Sequence, residues 1–170
     1  ELDEFKDHKD YLMTIKKKTR QNLRRNTRRI EIKNPTIVID NFSDIEHLIR
    51  LSKERVNQKN EETDWEDPRR AEAFRQVIKL AGKSYKTRMI SVLIDNEIAG
   101  VDLIAFFNGC YYTLRCGYNV KDFPGIGSFM NLMEIDDAIK LGMKKIDFLQ
   151  DNYEWKDKLC QAVPLFRYEK

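Results

Sequence analysis

The stretch from Cys116 to Leu159, CGYNVKDFPGIGSFMNLMEIDDAIKLGMKKIDFLQDNYEWKDKL, constrains the fold more than any other part of the chain. It reads as a strand end, a Pro-Gly-x-Gly turn, an amphipathic helix, a glycine stop, a short strand and a polar loop ending in Trp155-Lys156. A glycine turn that follows a strand and feeds a helix N-terminus is a ready cradle for phosphate. Its unpaired backbone N–H groups and the positive end of the helix dipole point the same way.

The segments before it fit a sheet. Arg88 to Ile94, Ile98 to Phe107 and Cys110 to Tyr118 are rich in β-branched and aromatic residues, and Asp95-Asn96 and Asn108-Gly109 separate them. Both pairs are hairpin signals, so an antiparallel meander is expected. The next helix is predicted over Ile126 to Leu141, where Phe129, Leu132, Ile135 and Ile139 recur at helical spacing before Gly142. Short strands are predicted at Lys145 to Leu149 and Val163 to Tyr168.

Nearer the start, Asp3 to Ile30 reads as helical, with room for a break near Thr19. Its apolar stripe is Phe5, Tyr11, Leu12, Ile15 and Leu23. Thr36 to Ile39 follows Pro35 as a first strand. Ser43 and Glu46 have the spacing of a capping box and open a helix to about Gln58. Lys59 to Asp67 is a loop. Asp67-Pro68 is an N-cap with a first-turn proline for a helix to about Ala81, which Gly82 ends. This order predicts an α/β class (α+β, mixed sheet) with helices on both faces.

The 170 residues suffice for one sizeable core, so one domain is expected over 1–170. Residues 1–31 are its basic helical extension and 32–170 its mixed-sheet core. The chain opens on Glu1, as expected of a piece of a longer protein. No apolar run approaches membrane-spanning length, so no transmembrane segment is expected. Net charge is only +3, yet Lys16 to Arg29 holds eight Lys or Arg and no acid. The bland reading of that run is a solvated helix face; the functional one is capture of an anion. No aromatic interleaves it and no nucleic-acid fold signature appears, so nucleic acid is not an expected partner. Cys110, Cys116 and Cys160 lack CxxC spacing, which predicts reduced thiols and a cytoplasmic setting. With His8 and His47 the only histidines, neither a metal site nor a Ser-His-Asp mechanism is expected.

The whole order resembles the acyl-CoA-dependent N-acetyltransferase superfamily (GNAT), and within it the CelD/BcsL-like acetyltransferases, more distantly the FemAB-type aminoacyltransferases. Three segments carry the likeness. Lys18-Thr19-Arg20-Gln21-Asn22-Leu23-Arg24-Arg25 resembles a basic opening helix. Glu97-Ile98-Ala99-Gly100, Tyr111-Tyr112 and Gly117-Tyr118 resemble a central hairpin. Pro124-Gly125, Gly142, Ile146-Asp147-Phe148-Leu149 and Lys156 follow in the family's order. Many such proteins have two halves, and this chain resembles the second, so an upstream domain is an implied partner. Asp122 stands where the usual turn has Arg or Gln, Asp151 where Gly is usual, and Trp155 where Tyr is usual.

The resemblance implies acetyl-CoA or another acyl-CoA (or acyl carrier protein) as donor, with no metal. The acceptor it implies is an anionic molecule or an amino sugar or peptide precursor, in polysaccharide or cell-envelope synthesis. Acyl transfer from a thioester to an amine needs a proton acceptor, an oxyanion donor and help for the leaving thiolate. Gly125, Ile126, Gly127, Ser128 and Phe129 are the candidate donor-binding turn; the plain alternative is a helix N-cap with glycine at positive φ. Asp102 lies on an otherwise apolar strand, as a general base or amine anchor, or else as a structural partner of Arg115. Tyr118 or Tyr112 could protonate the thiolate, or simply pack. Arg24, Arg115 and Lys156 are candidate substrate contacts for carboxylate or phosphate, each with an exposed-cation alternative. Asp147 could cap its following loop. Against the enzyme stands a non-catalytic module that completes a two-lobed protein or an exopolysaccharide assembly. Aminoacyl transfer from tRNA is a third idea.

Overall fold

The structure is a computed structural model that describes residues 1–58, 64–149 and 155–164, except for the side chains at 58 and 64. Its frame is one five-stranded sheet: β1 (Thr36–Ile39), β2 (Lys86–Ile94), β3 (Glu97–Phe107), β4 (Cys110–Tyr118) and β5 (Lys145–Asp147), in that spatial order. The first four are antiparallel and β5 runs parallel to β4, which makes the expected mixed sheet. Both hairpins close as the dipeptides predict. Asp95 and Asn96 have φ of 52° and 63°, and Asn108 and Gly109 have 48° and 70°. Two consecutive left-handed residues give a turn whose twist matches that of the strands.

Helices cover both faces. On one lie α3 (Ile45–Gln58) and α4 (Pro68–Lys79), around Leu48, Trp65, Met89, Val101 and Leu103. On the other lies α5 (Ile126–Lys140), around Ile90, Val92, Ile104, Tyr111, Met130 and Ile135. Outside α5 pack α1 (His8–Leu12) and α2 (Lys17–Glu31), which bury Leu12 and Ile30 in the same core. Full burial of such side chains stabilises by about 1.5–3 kcal/mol each. Gly117 sets the approach of α3 to the sheet, because a Cβ there would lie 2.4 Å from the Leu48 carbonyl oxygen.

The structure corrects several sequence expectations. The first helical segment breaks at residues 13–16, before Thr19. There the Arg20 guanidinium reaches back to the carbonyls of Leu12, Met13 and Ile15 at 3.1–3.3 Å, supplying donors that the end of α1 lacks. The capping box does not form. Ser43 Oγ donates to Asn41 Oδ1 at 2.7 Å, and Glu46 pairs with Arg75 of α4. A single 3-10 turn, Phe42–Asp44, leads into α3 instead. The N-cap at Asp67 with Pro68 forms as expected, its carboxylate accepting from the Arg69 N–H at 2.9 Å. β5 ends two residues early. Leu149 has φ 58°, and the Asp147 carboxylate accepts its N–H at 2.8 Å, capping the loop. The strand expected over Val163 to Tyr168 lies mostly outside the described residues, as does Asp151; Val163 and Pro164 join no element.

Candidate functional site

Two irregularities in β4 open the sheet. The two-residue turn pairs Phe107 with Cys110 and Ile104 with Thr113, but Leu103 pairs with Arg115, so Leu114 is an extra residue. Such a bulge bends its strand and flips the residues beyond it. Without it Asp102 would face Arg115; with it Asp102 pairs with Cys116, and the expected Asp102–Arg115 pair does not form. β5 meets β4 only at Cys110, Tyr111 and Tyr112. Beyond Tyr112, β4 has no strand neighbour on that side among the described residues.

The glycine turn lies at the far end of β4. Gly125 is the N-cap of α5 at φ 106°, and no side chain caps that helix. The Ile126 N–H is taken by the Phe123 carbonyl at 3.1 Å, whereas the Gly127 and Ser128 N–H groups find no acceptor among the described residues. Asp122 does not reach them. Its carboxylate accepts from Asn119 Nδ2 at 2.9 Å, and its own N–H donates to Asn119 Oδ1. One side of the turn is closed by α2, since a Cβ on Gly125 would lie 2.5 Å from the Asn26 carbonyl oxygen.

A groove of about 500 Å³ lies between α2, α5 and α6 (Lys156–Leu159), and Ser128 is the residue of the turn that lines it. Ser128 and Asn131 form one wall. Lys18, Asn22, Arg25 and Asn26 form the second, and Trp155, Lys158 and Leu159 the third. Asn26 Nδ2 contacts Ser128 Oγ at 3.4 Å. Among the described residues, three cations and no carboxylate line this space.

Beneath the turn, Tyr118 packs its ring 3.4 Å from where a Gly127 Cβ would stand. Next to it Asp102, 1% exposed, lies under α5 beside Glu134, 2% exposed. Neither Asp102 oxygen has a well-formed hydrogen bond, although the Tyr118 hydroxyl and Glu134 carboxyl are near enough to influence it. Burial pushes Asp102 up to about 7, and burial with the Asp102 charge drives Glu134 well above the carboxylate range. Burial likewise raises the Tyr118 phenol. Two adjacent carboxyls in an apolar core hold a proton between them.

The predicted site residues thus fall into groups. Gly125 to Phe129 share one turn, with Ser128 on the groove, and Tyr118 and Asp102 lie below it. Arg115 is on the opposite face, its guanidinium 5.0 Å over the Trp65 ring. Lys156 donates to the Leu149 carbonyl at 3.1 Å beside Trp155. Arg24 is exposed on α2 but does not line the groove. Sequence reading missed Lys18, Asn22, Arg25, Asn131, Lys158 and Glu134. Helical spacing carried part of the signal, because Lys18, Asn22 and Arg25 stand one and two turns apart on one face, which Arg24 does not share. Tyr112, the other candidate acid, is partly exposed near Cys110, away from Asp102. Among the described residues no group of three or more His, Cys, Asp or Glu could hold a metal, and no helix is long and apolar enough to cross a membrane.

Comparison with known proteins now bears on the identity. Residues 17–157 match the family described as "Acetyltransferase (GNAT) domain". A Pyrococcus furiosus protein described as an acetyl transferase superposes with a TM-score of 0.58 at 19% identity, covering 80% of this chain and 98% of its own. At that identity the likeness speaks for the fold. A GNAT family acetyltransferase of Staphylococcus aureus gives a TM-score of 0.46 at 14% identity over the same shares. No curated protein matches the chain. With a family match across most of its length, the chain belongs to the GNAT acetyltransferase domain family.

Proposed function

We propose that this chain is an N-acyltransferase. In this reading it moves an acyl group from acyl-CoA (or acyl carrier protein) to an amine of a sugar or peptide precursor, as in polysaccharide or cell-envelope synthesis. The observation that carries the reading is the start of α5, which no side chain caps among the described residues and where two N–H groups have no acceptor among them. Orphan donors at a helix N-terminus suit a diphosphate. Asp122, the residue of the turn least suited to phosphate, is held by Asn119. The residues present therefore fit a coenzyme A donor, with Gly125 to Phe129 around its diphosphate. The thioester it carries supplies an activated acyl group, so this chain needs no covalent nucleophile.

In this reading the rest of the machinery lies along the edge of β4 beyond Tyr112, which has no strand neighbour among the described residues, with Arg115 on the α3–α4 face where it stacks on Trp65. In this reading Arg115 holds a carboxylate or phosphate of the acceptor, with Lys156 and Arg24 at the outer rims. Tyr118 handles the proton of the leaving group. Asp102 is sealed from the groove, so it acts through Tyr118 as a positioning residue and proton partner. In this reading backbone N–H groups at the bulge at Leu114 polarise the acyl carbonyl. An upstream domain of the same protein would complete the acceptor side, and the setting would be the cytoplasm.

The test is calorimetry with acetyl-CoA on the wild type, on Gly127→Trp, which fills the turn, and on Ser128→Pro, which deletes one bare N–H in a helix turn that tolerates proline. Micromolar binding by the wild type, lost in the first variant and weakened about tenfold in the second, is expected. Binding unchanged in both folded variants, or absent from the wild type, would remove the proposal.

A further inference from the structure

The basic run of α2 is divided between two faces of the helix. Lys18, Asn22 and Arg25 line the groove, whereas Lys17, Gln21, Arg24 and Arg28 recur at spacings of four, three and four and form a separate, exposed stripe. Leu23, Thr27 and Ile30 occupy the packed side. The exposed helices on the far side of the sheet are charged differently. On α3 Arg50 pairs with Glu54 at 2.9 Å, and on α4 Arg75 pairs with Glu72 at 3.6 Å. The one acid of α2 is Glu31, its last residue. The stripe also runs into aliphatic surface. Ile32, one turn beyond Arg28, is the C-cap of α2 and 70% exposed. Ile37 and Ile39 of β1 are 46% and 44% exposed. They pair with Val92 and Ile90, which belong to the α5-side core, so both isoleucines lie on the side of the sheet where α2 packs. Single exposed apolar side chains are ordinary; three isoleucines within residues 32–39, beside a helix of one sign, call for an explanation.

We infer that the outward face of α2, with Ile32, Ile37 and Ile39 at its end, docks the chain on an anionic lipid bilayer. Lys17, Arg24 and Arg28 meet the headgroup charge, and the isoleucines enter the boundary between headgroups and acyl chains. Each half of the patch answers to one property of such a surface. A cation held near anionic lipid raises affinity by about fivefold. An exposed aliphatic side chain gains by leaving water. RNA would use the cations and leave the isoleucines in water, and α2 offers no aromatic ring on which a base could stack. The apolar side of α2 is spent on the core, so the helix does not sink into the bilayer. The attachment is peripheral and weakens as salt screens the charges. It does not depend on what the α5 turn binds.

The experiment is co-sedimentation of the full chain with two kinds of vesicle, one of phosphatidylcholine and one of equal parts phosphatidylcholine and phosphatidylglycerol, at low and at physiological salt. Expected is binding to the mixed vesicles alone, weaker as salt rises. Lys17→Glu/Arg28→Glu, which spares Arg24 at the acceptor rim, should lower that affinity by about tenfold or more. Ile32→Ser/Ile37→Ser should lower it by about threefold or more and remove most of what survives physiological salt. All four side chains are exposed, so both variants should keep the wild-type urea midpoint, which separates lost docking from lost folding. No sedimentation with either vesicle, equal binding to both, or an affinity unchanged in either variant would overturn the inference. So would retention of a tRNA pool more tightly than of the mixed vesicles. Dimerisation without lipid that the isoleucine changes abolish would assign the patch to a second copy of the chain and overturn it as well.

Discussion

Asp44 and Asp102 are both buried aspartates, 6% and 1% exposed, served by opposite faces of one sheet. Asp44 enters the α3 side with full provision. Ser91 Oγ donates to it at 2.5 Å and Asn41 Nδ2 at 2.9 Å. Asp102 lies on the α5 side with no well-formed hydrogen bond and a second carboxyl, Glu134, against it. The first arrangement is that of a group that locks a turn to a strand. The second is costly to keep and invites a proton-handling role, since buried polar groups are normally satisfied. The same contrast runs through the backbone. On the α3 face a glycine is clamped against Leu48, whereas on the α5 face a Gly127 Cβ would meet only the Tyr118 ring, beside donors with no acceptor among the described residues.

That contrast can be broken first at the glycines. Gly117→Ala drives a methyl group into the Leu48 backbone, at 2.4 Å from its oxygen and 2.9 Å from its Cα. Backbone cannot swing aside, so a loss of about 3 kcal/mol or more is expected, seen as a large fall in the urea midpoint. Gly127→Ala meets only the Tyr118 ring at 3.4 Å, and should change stability by less than about 1 kcal/mol. Equal losses in the two would erase the difference between the faces.

The next effect is one of pH. Asp102 and Glu134 bind protons more tightly folded than unfolded. Between the ordinary carboxylate range near pH 4 and about pH 7 the native state thus holds more protons. Its stability is full below that window and declines as pH rises through it. The pair's contribution should fall steadily between about pH 4 and 8. The Asp102→Asn/Glu134→Gln double variant should flatten that slope, measured by urea unfolding across the range; an unchanged slope would mean that the pair is not the source. A more local effect belongs to Asp44→Ala. It strands the Ser91 hydroxyl in the core and should lower stability by about 1–3 kcal/mol while leaving the pH slope of the α5 side intact.

Much of this fold was legible because local chemistry decides it. Asp95-Asn96 and Asn108-Gly109 can hold left-handed backbone, so both hairpins were readable residue by residue. Gly125 and Gly142, both at positive φ, bracket α5 for the same reason. What was not legible depends on partners far away in the chain. Arg20 ends α1 by reaching back across the break, and Glu46 is drawn from its capping role by Arg75 in α4. The bulge at Leu114 carries no turn residue, yet it moves Arg115 to the other face and undoes the inferred pair with Asp102. Glu134 reads as one more polar position on an amphipathic helix until α5 lays it on Asp102. The groove was half visible: its α2 wall follows from helical spacing, but Lys158 and Asn131 join it only through packing.

The central claim is that the bare amides at the start of α5 receive the diphosphate of a coenzyme. The most direct measurement is a backbone amide spectrum of the isotope-labelled chain titrated with coenzyme A. The account predicts that the Gly127 and Ser128 N–H resonances move most and saturate together, while Leu48 and Gly117 on the opposite face stay still. Saturable binding that leaves those two amides unmoved would contradict it.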